Sequence, residues 1–419
     1  MNKKFIIILF SSIIVITIVI LIINYQNRYQ KNQVTKADDL GFTKQGINEV
    51  INASNRFSFN LFSKISKSES GNIFYSPYSI FAGLAMTYEG AYGQTADEIK
   101  NVFSFPDEKI LRPNFAAIYN DLNTNIVDYE LNTANALWIQ KHFSLLTEFT
   151  EIIENRYGGK AFNLDFINAT ERSRKTINEY TNQHTNNRIS ELIPSGFLDP
   201  MTRIVLTNSI YFKGTWVWEF DKKNTNDGSF KVSPEKSVMA SMMQLAPEKT
   251  QFNYLDTESL QVLELPYKGD KLSMLILLPK NDLSTLEASL TSEMLNEYKS
   301  RMKETTLNSI SIPKFKFETE YYLKDYLISL GMPTAFSGNA DFSKMTGKKD
   351  LFIDSVIHKA FIEVNENGSE ATAATAVNMA LKASLPRKVF VADHPFVFLI
   401  QSKDTGNILF LGKVVDPTL

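Results

Sequence analysis

Apolar residues recur along this chain in three rhythms. Phe5 to Ile23 is an uncharged run of 19 residues, broken only by Ser11, Ser12 and Thr17. It is long enough to span a membrane as a helix, and long for the apolar core of a signal peptide. Lys3 and Lys4 precede it and Arg28 follows it, so the flanking charges orient it weakly. A short two-lysine tail most simply stays inside and leaves the remainder outside. Asn24 to Arg28 lack the small-x-small pattern of a cleavage site. Residues 1–23 are therefore expected to anchor an extracytoplasmic body at the membrane, or to leave it secreted if they are cleaved.

Residues 24–44 are polar and read as a tether. The second rhythm begins at Ile47, where Val50, Ile51, Phe57, Leu61 and Ile65 follow at three- and four-residue steps, the spacing of one helix face. Ser76-Pro77 predicts a helix start leading into Ile80–Glu89. Asn168, with Glu171 three positions on, predicts a capped helix running to about Gln183. The third rhythm is of strands: Arg203–Tyr211, Leu272–Leu278 and Leu351–Val364 are dense in Val, Ile, Leu and aromatics. Helices early and strands late imply an α+β fold rather than alternating βαβ units. Neither a repeat nor a linker-like break follows residue 45, so 45–419 reads as one body.

Charge and chemistry narrow the function. Lys and Arg number 44 against 46 Asp and Glu, so no basic excess points to nucleic acid. There is no cysteine, which excludes disulfides, thiolate zinc sites and cysteine nucleophiles together. His142, His184, His358 and His394 lie far apart with no HExxH pair, and neither a GxSxG elbow nor a Walker loop is present. No enzyme activity, metal or cofactor is expected. Usage rich in Ile, Lys and Asn hints at a prokaryotic source. One segment stands apart: Asn365–Ala380, NENGSEATAATAVNMA, has small side chains and no aromatic residue. On composition alone it reads as a linker or a short Ala-rich helix.

Several stretches, in order, resemble one family. Asn72–Ile99 (NIFYSPYSIFAGLAMTYEGAYGQTADEI) is similar to a family helix and its following turn. Asn132–Gln140 (NTANALWIQ) resembles a strand of the family's central sheet. The stretch from Thr185, TNNRISELIPSGFLDPMTRIVLTNSIYFKGTWVWEF, resembles the approach to the next strand, that strand, and the Trp after it. LPYKG from Leu265, IPKFKFET from Ile312, ADFSKMTG from Ala340, IHKAFIEVNENGSEA from Ile357, DHPFVFLI and FLGKVVDP complete the match. The family is the serpins, and the resemblance covers nearly all of 45–419.

The resemblance implies three β-sheets, eight or nine helices, an exposed reactive-centre loop and a metastable state, with the loop able to enter the central sheet. It places the hinge at Glu366, Gly368, Ser369, Glu370, Ala371, Thr372, Ala373, Ala374 and Thr375. Ser79, Asn208 and His358 match the polar "shutter" beneath the sheet. Trp216, Lys314 and Glu366 match the "breach" where insertion begins. The family's spacing from Glu366 puts the reactive bond at Lys382–Ala383, with Leu381 or Ser384 as alternative cleavage points. A basic residue there suits the carboxylate-floored pocket of a trypsin-like serine protease, the expected partner of a monomeric inhibitor. The hinge residues can be tested as a strand. Ser369, Ala371, Ala373, Thr375 and Val377 would share one face, small and uncharged, while Glu370 falls on the other. That sorting suits insertion; a non-inhibitory carrier, chaperone or storage relative is the alternative.

Overall fold

The computed structural model describes residues 36–123, 128–247, 250–369 and 388–419. The long periodic segment forms helix α1 (Lys44–Ser68), capped by the Thr43 hydroxyl accepting from the Gly46 N–H. Helix α2 (Pro77–Glu89) begins where Ser76-Pro77 predicted, with the Ser76 side chain accepting from the Ser79 N–H and every residue buried. Helix α3 spans Thr170–His184. Its expected cap is displaced: Ala169 occupies the cap position without a side-chain bond, and Asn168 instead donates its N–H to Asp165. The Asp165 carboxylate competes successfully for the local donors, which a spacing rule cannot register.

The tether ends earlier than expected. Ala37 is buried, its N–H bonding Asn120 and its carbonyl accepting from the same amide, while Arg156 pairs with Asp38. Two matched backbone bonds make Lys36 onward part of the folded body. The membrane-anchored placement is corrected: among the described residues no helix is long and apolar enough to cross a membrane. Phe5–Ile23, on which that placement rested, lies outside the described residues.

The α+β reading holds, with ten α-helices and three sheets among the described residues. The central sheet contains β1 (Tyr129–Gln140), β2 (Lys160–Leu164), β3 (Ile204–Thr215), β4 (Phe315–Tyr322), β5 (Ile353–Asn365) and the two-residue β6 (Gly368–Ser369), in the order β4-β5-β6-β3-β1-β2. One face lies under α3, where Trp138 stacks on Phe162 at 4.7 Å and Tyr180 meets both rings edge-on at 5.2 and 5.3 Å. The opposite face meets α2 and a seven-stranded sheet built around Leu272–Pro279, Phe396–Ser402 and Ile408–Val414. A four-stranded sheet runs Val389–Val391, Ser309–Pro313, Lys236–Leu245 and Asn226–Ser233. The buried apolar residues bridging these layers supply the main driving force for folding.

Candidate functional site

The seam between β5 and β3 carries nearly all of the candidate residues that are described. Below its upper end the two strands pair directly and in parallel, with His358 opposite Asn208 and Ala360 opposite Ile210. At the upper end they are parted. Ser369 there pairs antiparallel with Val364 on one side and Gly214 on the other, and Gly368 with Asn365 and Thr215. Gly368 takes φ +147°, and a Cβ on it would lie 2.0 Å from the Gly214 carbonyl oxygen. Only glycine fits.

The turn leading into β6 is tied down at several points. The Trp216 backbone N–H donates to the Asn367 carbonyl (2.8 Å) and its indole N–H to the Asn365 carbonyl (3.1 Å), while its ring stacks on Tyr267 at 4.5 Å. Phe220 N–H donates to the Glu366 carbonyl at 2.8 Å. The buried Glu366 carboxylate meets the Lys314 ammonium at 3.1 Å and accepts from the Thr225 hydroxyl at 2.8 Å. Burial alone would raise its pKa; its own N–H, Thr225 and Lys314 outweigh that and hold it below the usual carboxylate value. Asn367 donates to Glu219 at 2.8 Å, and Glu219 pairs with Lys268. Ser369 is buried with its hydroxyl 2.8 Å from the Tyr267 phenol, facing the core.

Lower down, a polar cluster sits between α2 and the sheet. Ser76 N–H donates to His358 Nε2 (3.0 Å), and the Ser76 hydroxyl donates to the Leu409 carbonyl while accepting from Ser79 N–H. The Ser79 hydroxyl donates to Asn135 Oδ1 at 2.6 Å, and Asn208 donates to the Ser79 carbonyl at 3.2 Å. Burial pushes the His358 imidazole down to about 3, so it is neutral, with Nε2 as the acceptor. Its Nδ1 faces the Asn208 backbone without a well-formed bond, and Asn208 Oδ1 and Ser209 Oγ have no partner among the described residues. Gly83 makes the contact possible: a Cβ there would meet Asn208 Nδ2 at 2.2 Å.

The structure thus brings Ser79, Asn208 and His358 into one cluster, and Trp216, Lys314, Glu366, Gly368 and Ser369 into another. Glu370, Ala371, Thr372, Ala373, Ala374, Thr375, Lys382 and Ala383 lie outside the described residues. Sequence reading missed Asn135, Ser76, Tyr267 and Thr225. Asn135 carried a signal: it is an amide within Asn132–Gln140, the stretch that resembles a strand of the family's central sheet, and an amide covered there needs a partner.

Against known proteins, the family model described as Serpin (serine protease inhibitor) matches residues 52–417. The chain is a serpin. It is 40% identical over 372 residues to an uncharacterized serpin-like protein of Methanosarcina acetivorans, covering 88% of this chain and 86% of that one. It is 39% identical over 377 residues to the leukocyte elastase inhibitor of Xenopus laevis, covering 88% and 99%. Among solved structures, the serpin Serpin48 of the insect Tenebrio molitor superposes with a TM-score of 0.79 at 31% identity, covering 88% of this serpin and 98% of its own chain. The family's fold and its protease-inhibiting members are therefore the frame within which this serpin's seam is read.

Proposed function

We propose that this serpin is a suicide inhibitor of trypsin-like serine proteases, cleaved at Lys382–Ala383 and trapping the acyl-enzyme by inserting its hinge into the β5–β3 seam. The observation that carries this reading is the register of Gly368–Ser369, already paired with both strands at the head of the seam. Continued one residue at a time, Ala371 would come between Ile362 and Phe212, and Ala373 between Ala360 and Ile210. Thr375 would come between His358 and Asn208, and Ala380 beside Ile353 at the foot. The residues facing inward from Ser369 to Val377 would be small or modest, as a filled core requires. A strand arriving between His358 and Asn208 would bring partners to polar atoms that lack them in the closed sheet. Insertion would end two residues short of Lys382, close enough to drag an acylated protease the length of the sheet.

The protease attacks the Lys382 carbonyl and the Ala383 amine leaves. Insertion then races hydrolysis of the ester. It must release more free energy than distorting the protease costs, and folded proteases are stable by about 5–15 kcal/mol. A lysine at the cleaved position supplies the cation that a carboxylate-floored pocket binds. Incubation with trypsin should give a complex that survives denaturing gel electrophoresis, with a released peptide starting at Ala383. Lys382→Ala should slow complex formation by orders of magnitude. Plain cleavage without a complex would replace this reading with that of a non-inhibitory relative.

A further inference from the structure

At the foot of the seam one side chain on β5 reaches across to the backbone of β3. The β5–β3 pairing shifts between Ile353 and Ser355, leaving Asp354 bulged out of register. Its Oδ2 accepts the backbone N–H of Arg203 at 2.5 Å and that of Ile204 at 2.9 Å. The Arg203 guanidinium turns away, donating to the Pro200 and Thr202 carbonyls at 3.1 Å each. On its other edge β3 is held by β1, with Gln140 N–H donating to the Arg203 carbonyl at 2.9 Å. The carboxylate therefore substitutes for a neighbouring strand at the start of β3.

We propose that Asp354 is the last fastening of the seam, a positioning residue that keeps the foot of β3 against β5 and must let go before insertion can finish. This rests on the insertion reading above. A strand entering between β5 and β3 moves them apart by one further strand spacing, about 4.8 Å. A short Asp side chain cannot keep two bonds under 3 Å across that widening. By register, the incoming residue beside Asp354 is Met379, so the upper part of the insertion leaves the fastening untouched. Bonds from backbone N–H groups to a carboxylate are among the stronger ones, so their loss weighs on the final steps.

The test uses two synthetic peptides offered to the uncleaved full-length protein: residues 371–380, which reach the foot, and residues 371–375, which stop at His358. Uptake is followed by a fluorophore on the peptide. Asp354→Ala should take up the long peptide at least about tenfold faster than wild type, since two charge-assisted bonds no longer oppose it. The short peptide should enter both proteins at the same rate. A structural loosening would speed both peptides alike, and that outcome overturns the proposal, as does an unchanged rate for the long one. If Asp354→Ala does not fold, Asp354→Asn carries the same comparison with a smaller gain for the long peptide only, and the same two results overturn it. Should wild type and variants all refuse both peptides, the insertion reading itself falls, and this proposal with it.

Discussion

His358 shows how one buried group ties stability to pH. Its imidazole has a folded-state pKa of about 3 against 6.5 when free. The unfolded chain therefore binds the extra proton first as pH falls. Stability is full above 6.5 and declines between 6.5 and 3, by at most about 1.4 kcal/mol per pH unit. Denaturant midpoints should fall between pH 7 and pH 4.5, and His358→Gln should flatten that dependence relative to wild type. An unchanged slope in the variant would assign the acid sensitivity to other groups. His358 was nameable from sequence because IHKAFIEVNENGSEA resembles a family segment. Nothing in its composition announced a neutral histidine accepting from Ser76. Its partner Ser76 sits at the start of a helix more than 200 residues earlier in the chain, and so distant a pairing leaves no local pattern.

Among the elements, β6 is the smallest and the most consequential. Ser369 is 1% exposed and touches Tyr267, so a charged replacement has no room and no partner. Ser369→Arg should cost several kcal/mol in the inserted position and slow entry of the strand. Lys382 lies well beyond it in sequence, so the protease encounter should be unaffected. The variant should be cut as an ordinary substrate while active protease returns. A stable complex formed at the wild-type yield would show that insertion does not depend on Ser369 holding its place in the core. Helices and strands were largely legible, because α1 shows an unbroken apolar stripe and β5 a dense apolar run. The misplaced cap of α3 and the late tether boundary share a cause. Both were decided by a few specific hydrogen bonds, Asn168 to Asp165 and the matched pair between Ala37 and Asn120, which periodicity does not encode.

For the whole molecule, cleavage at Lys382 should raise the melting temperature well above that of the intact protein, because a new central strand pairs along both β5 and β3. Calorimetry of intact and cleaved samples checks this, and equal melting would mean the sheet does not accept the strand. If the hinge inserts as proposed, the edge strand Val389–Val391 gives the reason a cut would be needed. Lys388 and Asn308 exchange backbone and side-chain bonds, and Val389–Val391 pairs with Ser309–Ser311 in the four-stranded sheet, which leads into β4 at the Phe315 end opposite Val364. Ala380 brought to Ile353 would lie about 37 Å below the level of Ser369, at about 3.4 Å per residue. The chain from Ala380 back to Lys388 can stretch only about 29 Å when fully extended. An uncut chain is thus too short to reach the foot unless Val389–Val391 is torn from its sheet. On the insertion reading the chain is a rope made fast at Ser369 and at Val389, and a protease would be what cuts it loose.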